Sequence, residues 1–330
     1  MELDISPSRN RTMTECLRPL LTSMRLCGLY FSRRREVTTG DEPDNKSCKW
    51  NPWMIHAVFV IALLWLNVVR MFSAFTSEDE FGLILLSKII TVVWMTQCAV
   101  SQTAFYATSH LGTLQDVFLK MTLSDKCATY LRKMALVCTA VAWSVIVVGS
   151  AFFVYIFFFS DEFMDIVIAP LQSYVTISNT LIPRIVVYFF TFYLQSAYVF
   201  PQVVTFLLAV LLRFQFKRVN EALERYLDCQ DGRMGDCEIE AIRQQHQEIA
   251  MSVSRIDDCL MFSNASAFCC QLFCFIIVLY MLVFYHSFIN DPFVMTGYVV
   301  WVILMSAGLA FTAAGGIIIN HYVSKSNASK

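Results

Sequence analysis

Six stretches of the chain are apolar for about twenty residues or more, and polar segments separate them. They fall at 52–75, 82–107, 134–159, 183–212, 263–287 and 294–319. Each approaches the roughly 20 residues that a helix needs to cross the hydrocarbon core of a bilayer. The pattern predicts an all-α, multi-pass transmembrane bundle of six spans. The fourth and fifth runs do not stop at the membrane edge. From Leu181 to about Tyr226, the apolar run passes into RFQFKRVNEALERYL with no turn signal at the junction. EIEAIRQQHQEIAMSVSRIDD likewise feeds into SAFCCQLFCFIIVLYMLVFYH, and the short loop CQDGRMGD joins the two segments. This predicts two long helices, each half in lipid and half in water, with a helical hairpin over 213–262.

The hairpin arms carry apolar stripes. Val219, Leu223 and Leu227 mark one arm; Ile239, Ile242, Ile249, Val253, Ile256 and Leu260 mark the other. Such arms would pair with each other and leave a surface for a partner helix. Residues 1–50 are polar overall except for Thr14 to Phe31, TECLRPLLTSMRLCGLYF. That stretch is too short and too basic to span, so an amphipathic helix lying on the membrane surface is expected. The organisation expected is a segment 1–50 and a bundle 51–330 that includes the hairpin.

Composition agrees with membrane residence. The chain is 57% hydrophobic and 15% charged, with a mean hydropathy of +0.55, against about 45–50% apolar and 25% charged in an ordinary soluble domain. The net charge of −1 offers no footprint for nucleic acid. The placement of charge says more. Twenty-two of the 25 basic residues lie before span one, between spans two and three, between four and five, or after span six. The opposite loops are acidic, as in Ser77-Glu78-Asp79-Glu80. The positive-inside rule then puts the N-terminus, the hairpin and the C-terminus in the cytoplasm, with the plasma membrane the expected location. The leading residues MELDISPSRNRTMTECLRPL have no apolar core, so the first span is expected to serve as the insertion signal. On this topology none of the twelve cysteines falls in an outer loop, and no disulfide is expected.

Candidate chemistry is sparse. Lys88 sits inside span two, where a charge is costly and points to function by default, although its place near the outer end lets it snorkel to water. Span two is polar for a membrane helix, with Ser87, Thr91, Gln97, Ser101 and Gln102. Span four adds Arg184, Tyr188, Gln195 and Ser196, and spans five and six add Tyr280, Tyr298 and Trp301. Lys88, Thr91, Arg184, Tyr188, Tyr280 and Trp301 are the candidate lining of a pocket for a small organic molecule. The plainer reading makes the polar residues helix glue and the aromatic ones an interfacial belt. Pro201, mid-span, removes a backbone donor and kinks the helix, either as a static bend or as a hinge. Gly308, Thr312 and Gly316 recur at intervals of four and read as a close-packing face. The histidines show no metal-ligand spacing, and no HExxH, GxSxG or phosphate loop occurs. No catalytic residue, metal or cofactor is assigned.

LRPLLTSMRLCGLYF before the first span, SAYVFPQ in the fourth and the long extensions of spans four and five resemble the invertebrate gustatory receptor family. This family belongs to the insect-type chemoreceptor superfamily, whose topology is inverted relative to G-protein-coupled receptors. The resemblance covers nearly the whole chain. It implies a ligand-gated cation channel in which four subunits, alike or mixed, surround a central pore. It also implies a cytoplasmic anchor built from the arms and a ligand bound in the outer half of each bundle. The family has a seventh, pore-lining span with a Thr-Tyr, apolar run, Gln-Phe signature. This chain ends at HYVSKSNASK after span six, and Thr129-Tyr130, followed by LRKMAL, does not fit. The pore helix is therefore expected to be missing, and no pore residue carries over. The alternatives are a G-protein-coupled receptor, disfavoured by Arg33-Arg34-Arg35 before span one, and a secondary transporter, disfavoured by the lack of internal repeats.

Overall fold

The computed structural model describes residues 13–31, 51–75, 82–120, 123, 125–159, 181–228, 236–284, 295–310 and 312–313. Among these residues every regular element is a helix. They are α1 (Met13–Cys16), α2 (Arg18–Leu26), α3 (Pro52–Phe72), α4 (Leu83–Leu111), α5 (Thr113–Lys120), α6 (Asp125–Phe159), α7 (Leu181–Asp228), α8 (Asp236–Phe284) and α9 (Met295–Ala310). Five of them, α3, α4, α6, α7 and α8, are long and apolar enough to cross a membrane. The sixth apolar run is described over α9 and two residues beyond it.

The arms are continuous with their spans. α7 has 48 residues and α8 has 49, which at 1.5 Å per residue makes each about 70 Å long, more than twice the hydrocarbon thickness. Beyond the span, Phe216, Val219 and Ile249 are buried together with Ile242 and Val253 packed on them, so the apolar stripes zip the arms antiparallel. The loop between them lies outside the described residues.

α4 is the axis. It packs against α3, α7 and α8, and this is why an apolar span tolerates so many polar residues. Ser87, Gln97, Ser101 and Gln102 are all buried and face protein rather than lipid. α4 and α8 run antiparallel: the Cys274 thiol points at the Ile90 carbonyl, and Ser263 faces Ser101. α4 ends at Gly112, whose left-handed φ of 74° turns the chain directly into α5. The hydrophobic pattern gave no sign of α5, because its eight residues fall in a polar connection.

The N-terminal helix departs from expectation. α2 is amphipathic, but its apolar face meets protein and not a membrane surface. Met13, Leu20, Met24, Leu29 and Tyr30 are fully or almost fully buried, in one core with residues of α5, α6, α7 and α8. The segment runs among the helices and turns there. The turn is made by Gly28 in the left-handed region (φ 73°). Leu29 N–H donates to the Met24 carbonyl at 2.8 Å and Gly28 N–H to the Arg25 carbonyl at 3.0 Å. These two bonds are the paired closure of a Schellman C-cap. Irregular backbone inside a membrane bundle survives only where its polar groups are satisfied by protein. Here Gln102 Nε2 donates to the Gly28 carbonyl at 2.6 Å, Trp143 Nε1 donates to Ser23 Oγ at 2.9 Å, and His56 Nε2 lies 3.0 Å from the Leu26 carbonyl. The stretch 13–31 is thus an integral part of the bundle core.

Candidate functional site

In the half of the bundle away from the arms, aromatic rings from three helices meet around Trp94 of α4. Phe153 of α6 lies parallel to the Trp94 ring, with centroids 6.2 Å apart and 5° between the planes. Trp301 of α9 meets it edge-on at 6.1 Å and 76°. Tyr298, one turn earlier on α9, stands 6.1 Å from Trp301 and beside Ser87 of α4. Parallel-offset and edge-on pairings match the quadrupoles of the rings. Trp94, Met95 and Leu194 are buried in one core, with Phe153, Tyr193, Tyr198 and Trp301 packed against it.

Glycines let the helices close on this cluster. The Phe152 ring lies directly over Gly297 of α9, and a methyl group at Gly149 of α6 would stand 2.7 Å from Gln195 Oε1 of α7. Gln195 is 7% exposed, and neither of its amide atoms has a hydrogen-bond partner among the described residues. A buried primary amide offers one acceptor and two donors. Set one turn from Phe153, past Gly149, it supplies an uncommitted polar handle beside an aromatic surface. The arrangement suits an uncharged molecule with an apolar body and a single hydrogen-bonding group.

Of the six residues expected to line a pocket, the five whose side chains are described do not converge. Trp301 belongs to the aromatic cluster. Lys88 is 8% exposed, and its Nζ donates to the Ala74 carbonyl at 2.9 Å. It therefore ties the start of α4 to the turn after α3. Thr91 Oγ1 bonds to the Ser87 carbonyl of its own helix at 2.7 Å. Tyr188 is half-buried beside Phe189. Tyr280 is 39% exposed on the bundle's outer surface, against Phe284 at 4.8 Å. Arg184 lies in α7, but its side chain is outside the described residues.

Deeper in the bundle, Pro201 sits within a continuous α7, and a small polar cavity opens beside it. Gly308 is buried with its α-carbon close to the Gln202 and Gln271 side chains. Thr312 Oγ1 donates to the Gly308 carbonyl at 3.0 Å, and Gly316 is outside the described residues. Among the described residues no cluster of His, Cys, Asp and Glu could hold a metal.

Sequence reading passed over Trp94 and Phe153, and it gave Gln195 no special weight. The signal available was Trp94 amid the polar positions of span two. An aromatic residue well inside a span, away from both interfaces, belongs to no interfacial belt.

No protein-family model matches the sequence, and no curated protein matches it. In three dimensions the chain is similar to the structure of the insect olfactory receptor OR5 from Machilis hrabei. The TM-score is 0.65 at 15% identity, covering 94% of this chain and 82% of that one. The likeness is one of fold, and it extends over nearly the whole length.

Proposed function

We propose that the chain is a subunit of an insect-type chemosensory receptor, a ligand-gated cation channel that responds to a small uncharged organic molecule. The observation that carries this reading is the shared architecture over 94% of the chain. The ligand sits against Trp94, Phe153 and Trp301 and hydrogen-bonds to Gln195. Its arrival spreads the helices on either side of α4, and α7, running through Pro201 into its arm, carries the displacement toward the far end of the bundle. The arms form the platform on which subunits meet, four to a channel, in the plasma membrane with the N-terminus and arms in the cytoplasm. The patterns LRPLLTSMRLCGLYF and SAYVFPQ favour a gustatory member of that group. The chain has a receptor's role and no catalytic one.

The test is a recording. Cells expressing the full-length receptor, pore-lining span included, with surface delivery verified by a tag, are exposed to a panel of neutral odorants and tastants. At least one compound should evoke an inward cation current. Silence across the panel, with the protein at the surface, would overturn the proposal.

A further inference from the structure

One or two turns deeper than Trp94, a band of uncharged polar side chains crosses the bundle at the level of Pro201. Pro201 has no N–H to give to the Ala197 carbonyl, so the helical ladder of α7 is broken where Ala197 is buried. Thr205 Oγ1 lies 3.0 Å from the Pro201 carbonyl and 3.0 Å from Asn264 Oδ1 of α8, fastening α7 to its neighbour one turn past the proline. Around it four polar atoms are buried with no hydrogen-bond partner among the described residues: Tyr198 Oη, Gln202 Nε2, and both amide atoms of Gln271. Gln271 is 1% exposed. Tyr198 Oη faces the Gln202 amide without closing a well-aligned bond to it. The two amide heads are brought together by Gly308 of α9, where a methyl group would stand 3.0 Å from Gln202 Oε1 and 3.1 Å from Gln271 Oε1.

The cavity beside these groups has about 20 Å3 of room for water centres, and Tyr198, Gln202, Thr205 and Asn264 are on its wall. A single water needs roughly 10–15 Å3 by that measure, together with two to four polar partners. The space is too small for an organic molecule, and its wall is too polar for an empty void. Buried polar groups are almost always hydrogen-bonded, and inside a membrane bundle no bulk solvent stands in for a missing partner.

We propose that this cavity is a water-binding site. One or two ordered waters complete the hydrogen bonding of Tyr198 and Gln202 and link α7 to α8 at the level of Pro201. Apart from the Thr205–Asn264 contact, the polar links between α7 and α8 beside Pro201 are then exchangeable water bridges, which can re-form when α7 changes its angle there. Neither the site nor its occupant depends on the identity of any ligand.

Radiolytic hydroxyl labelling tests it, because radicals form at the bound water itself. The full chain in lipid nanodiscs is given X-ray pulses, and oxidation is read by residue. Tyr198 and Phe206, which border the cavity, should be modified at least threefold faster than Phe192 and Tyr193. Those two are similarly half-buried on the same helix but do not border it. Gln202→Leu, close in size but without an amide, and Gly308→Ala, which crowds the Gln202 amide head, should each cut Tyr198 labelling at least threefold. Labelling of Tyr198 and Phe206 no faster than that of Phe192 and Tyr193 would overturn the proposal. So would unchanged labelling in a folded, monodisperse Gln202→Leu variant, and that variant decides the matter if Gly308→Ala does not fold.

Discussion

Gln102 donates its amide hydrogen to the carbonyl oxygen of Gly28 at 2.6 Å, joining the middle of α4 to the turn that ends the N-terminal helix, 74 residues away in sequence. Gly28 holds a left-handed φ and has the Val60 side chain 3.0 Å from where a β-carbon would sit. The pair is therefore specified from both sides. Replacing Gln102 by Leu leaves a buried carbonyl without its donor, at a cost of about 1–3 kcal/mol. Gly28→Ala adds the left-handed penalty of roughly 1–2 kcal/mol and crowds Val60. Thermal unfolding of purified protein, followed by size-exclusion fluorescence, should show both variants less stable than wild type. A wild-type transition in both would mean that the N-terminal segment is not docked in the core.

The second tie of that helix is independent of the first. Trp143 Nε1 donates to Ser23 Oγ at 2.9 Å, and Ser23 Oγ lies 3.1 Å from the Pro19 carbonyl. Ser23→Ala and Trp143→Phe each remove the bond from one side. A double-mutant cycle on unfolding should return a coupling of about 0.5–1.5 kcal/mol, the usual net worth of one buried hydrogen bond. Strict additivity would place Ser23 and Trp143 apart in the folded protein.

Cys27, at the end of α2, gives the same docking a pH signature. Burial pushes its thiol up to about 11, against a smaller opposing effect of a hydrogen bond to Ser196, where an ordinary cysteine titrates near 8.5. The folded state favours the protonated thiol, so this contribution to stability is fully present below about pH 8.5 and is lost as pH rises toward 11. Only the thiolate reacts with alkylating agents. The rate of Cys27 alkylation in the folded protein should therefore keep rising through pH 10, where an exposed cysteine has already levelled off. A plateau near pH 9 would show Cys27 exposed.

Much of this architecture was written in the hydrophobic pattern. The long run from Leu181 past Arg213 without a break is a helix that leaves the membrane, because nothing in the sequence stops it, and α7 has that form. The register of Val219 and Ile249 pairs the arms as their spacing implies. What the pattern hid was partnership. TECLRPLLTSMRLCGLYF reads equally well as a helix on a membrane surface or inside a bundle, since lipid and protein interiors select the same apolar face. Pro19 and Gly28 stand at the two ends of the helix but carry no information on its surroundings. The polar content of α4 was legible, whereas its distribution was not. Gln102 goes to a backbone carbonyl, Thr91 to its own helix and Gln195 of α7 to no described partner, and only packing separates these cases. Lys88 looked functional by charge alone and is placed by the Ala74 carbonyl.

The charge distribution makes a topological prediction. Epitope tags at the N-terminus and in the tip between the arms, within 229–235, should both be stained by antibody only after the plasma membrane is permeabilised. Staining of either tag on intact cells would reverse the orientation and remove the arms from the cytoplasm.

The most direct test of the receptor account is a dose–response measurement on whichever compound evokes a current, comparing wild type with Trp301→Ala and Tyr280→Ala. Trp301 stands in the aromatic cluster around Trp94, and Tyr280 faces outward on α8. Losing an aromatic contact worth about 1.4 kcal/mol shifts a binding constant tenfold. Trp301→Ala should therefore move the half-maximal concentration at least tenfold higher at normal surface expression, with Tyr280→Ala unchanged. Equal responses in wild type and Trp301→Ala, or a shift in Tyr280→Ala alone, would contradict the placement of the ligand among Trp94, Phe153 and Trp301.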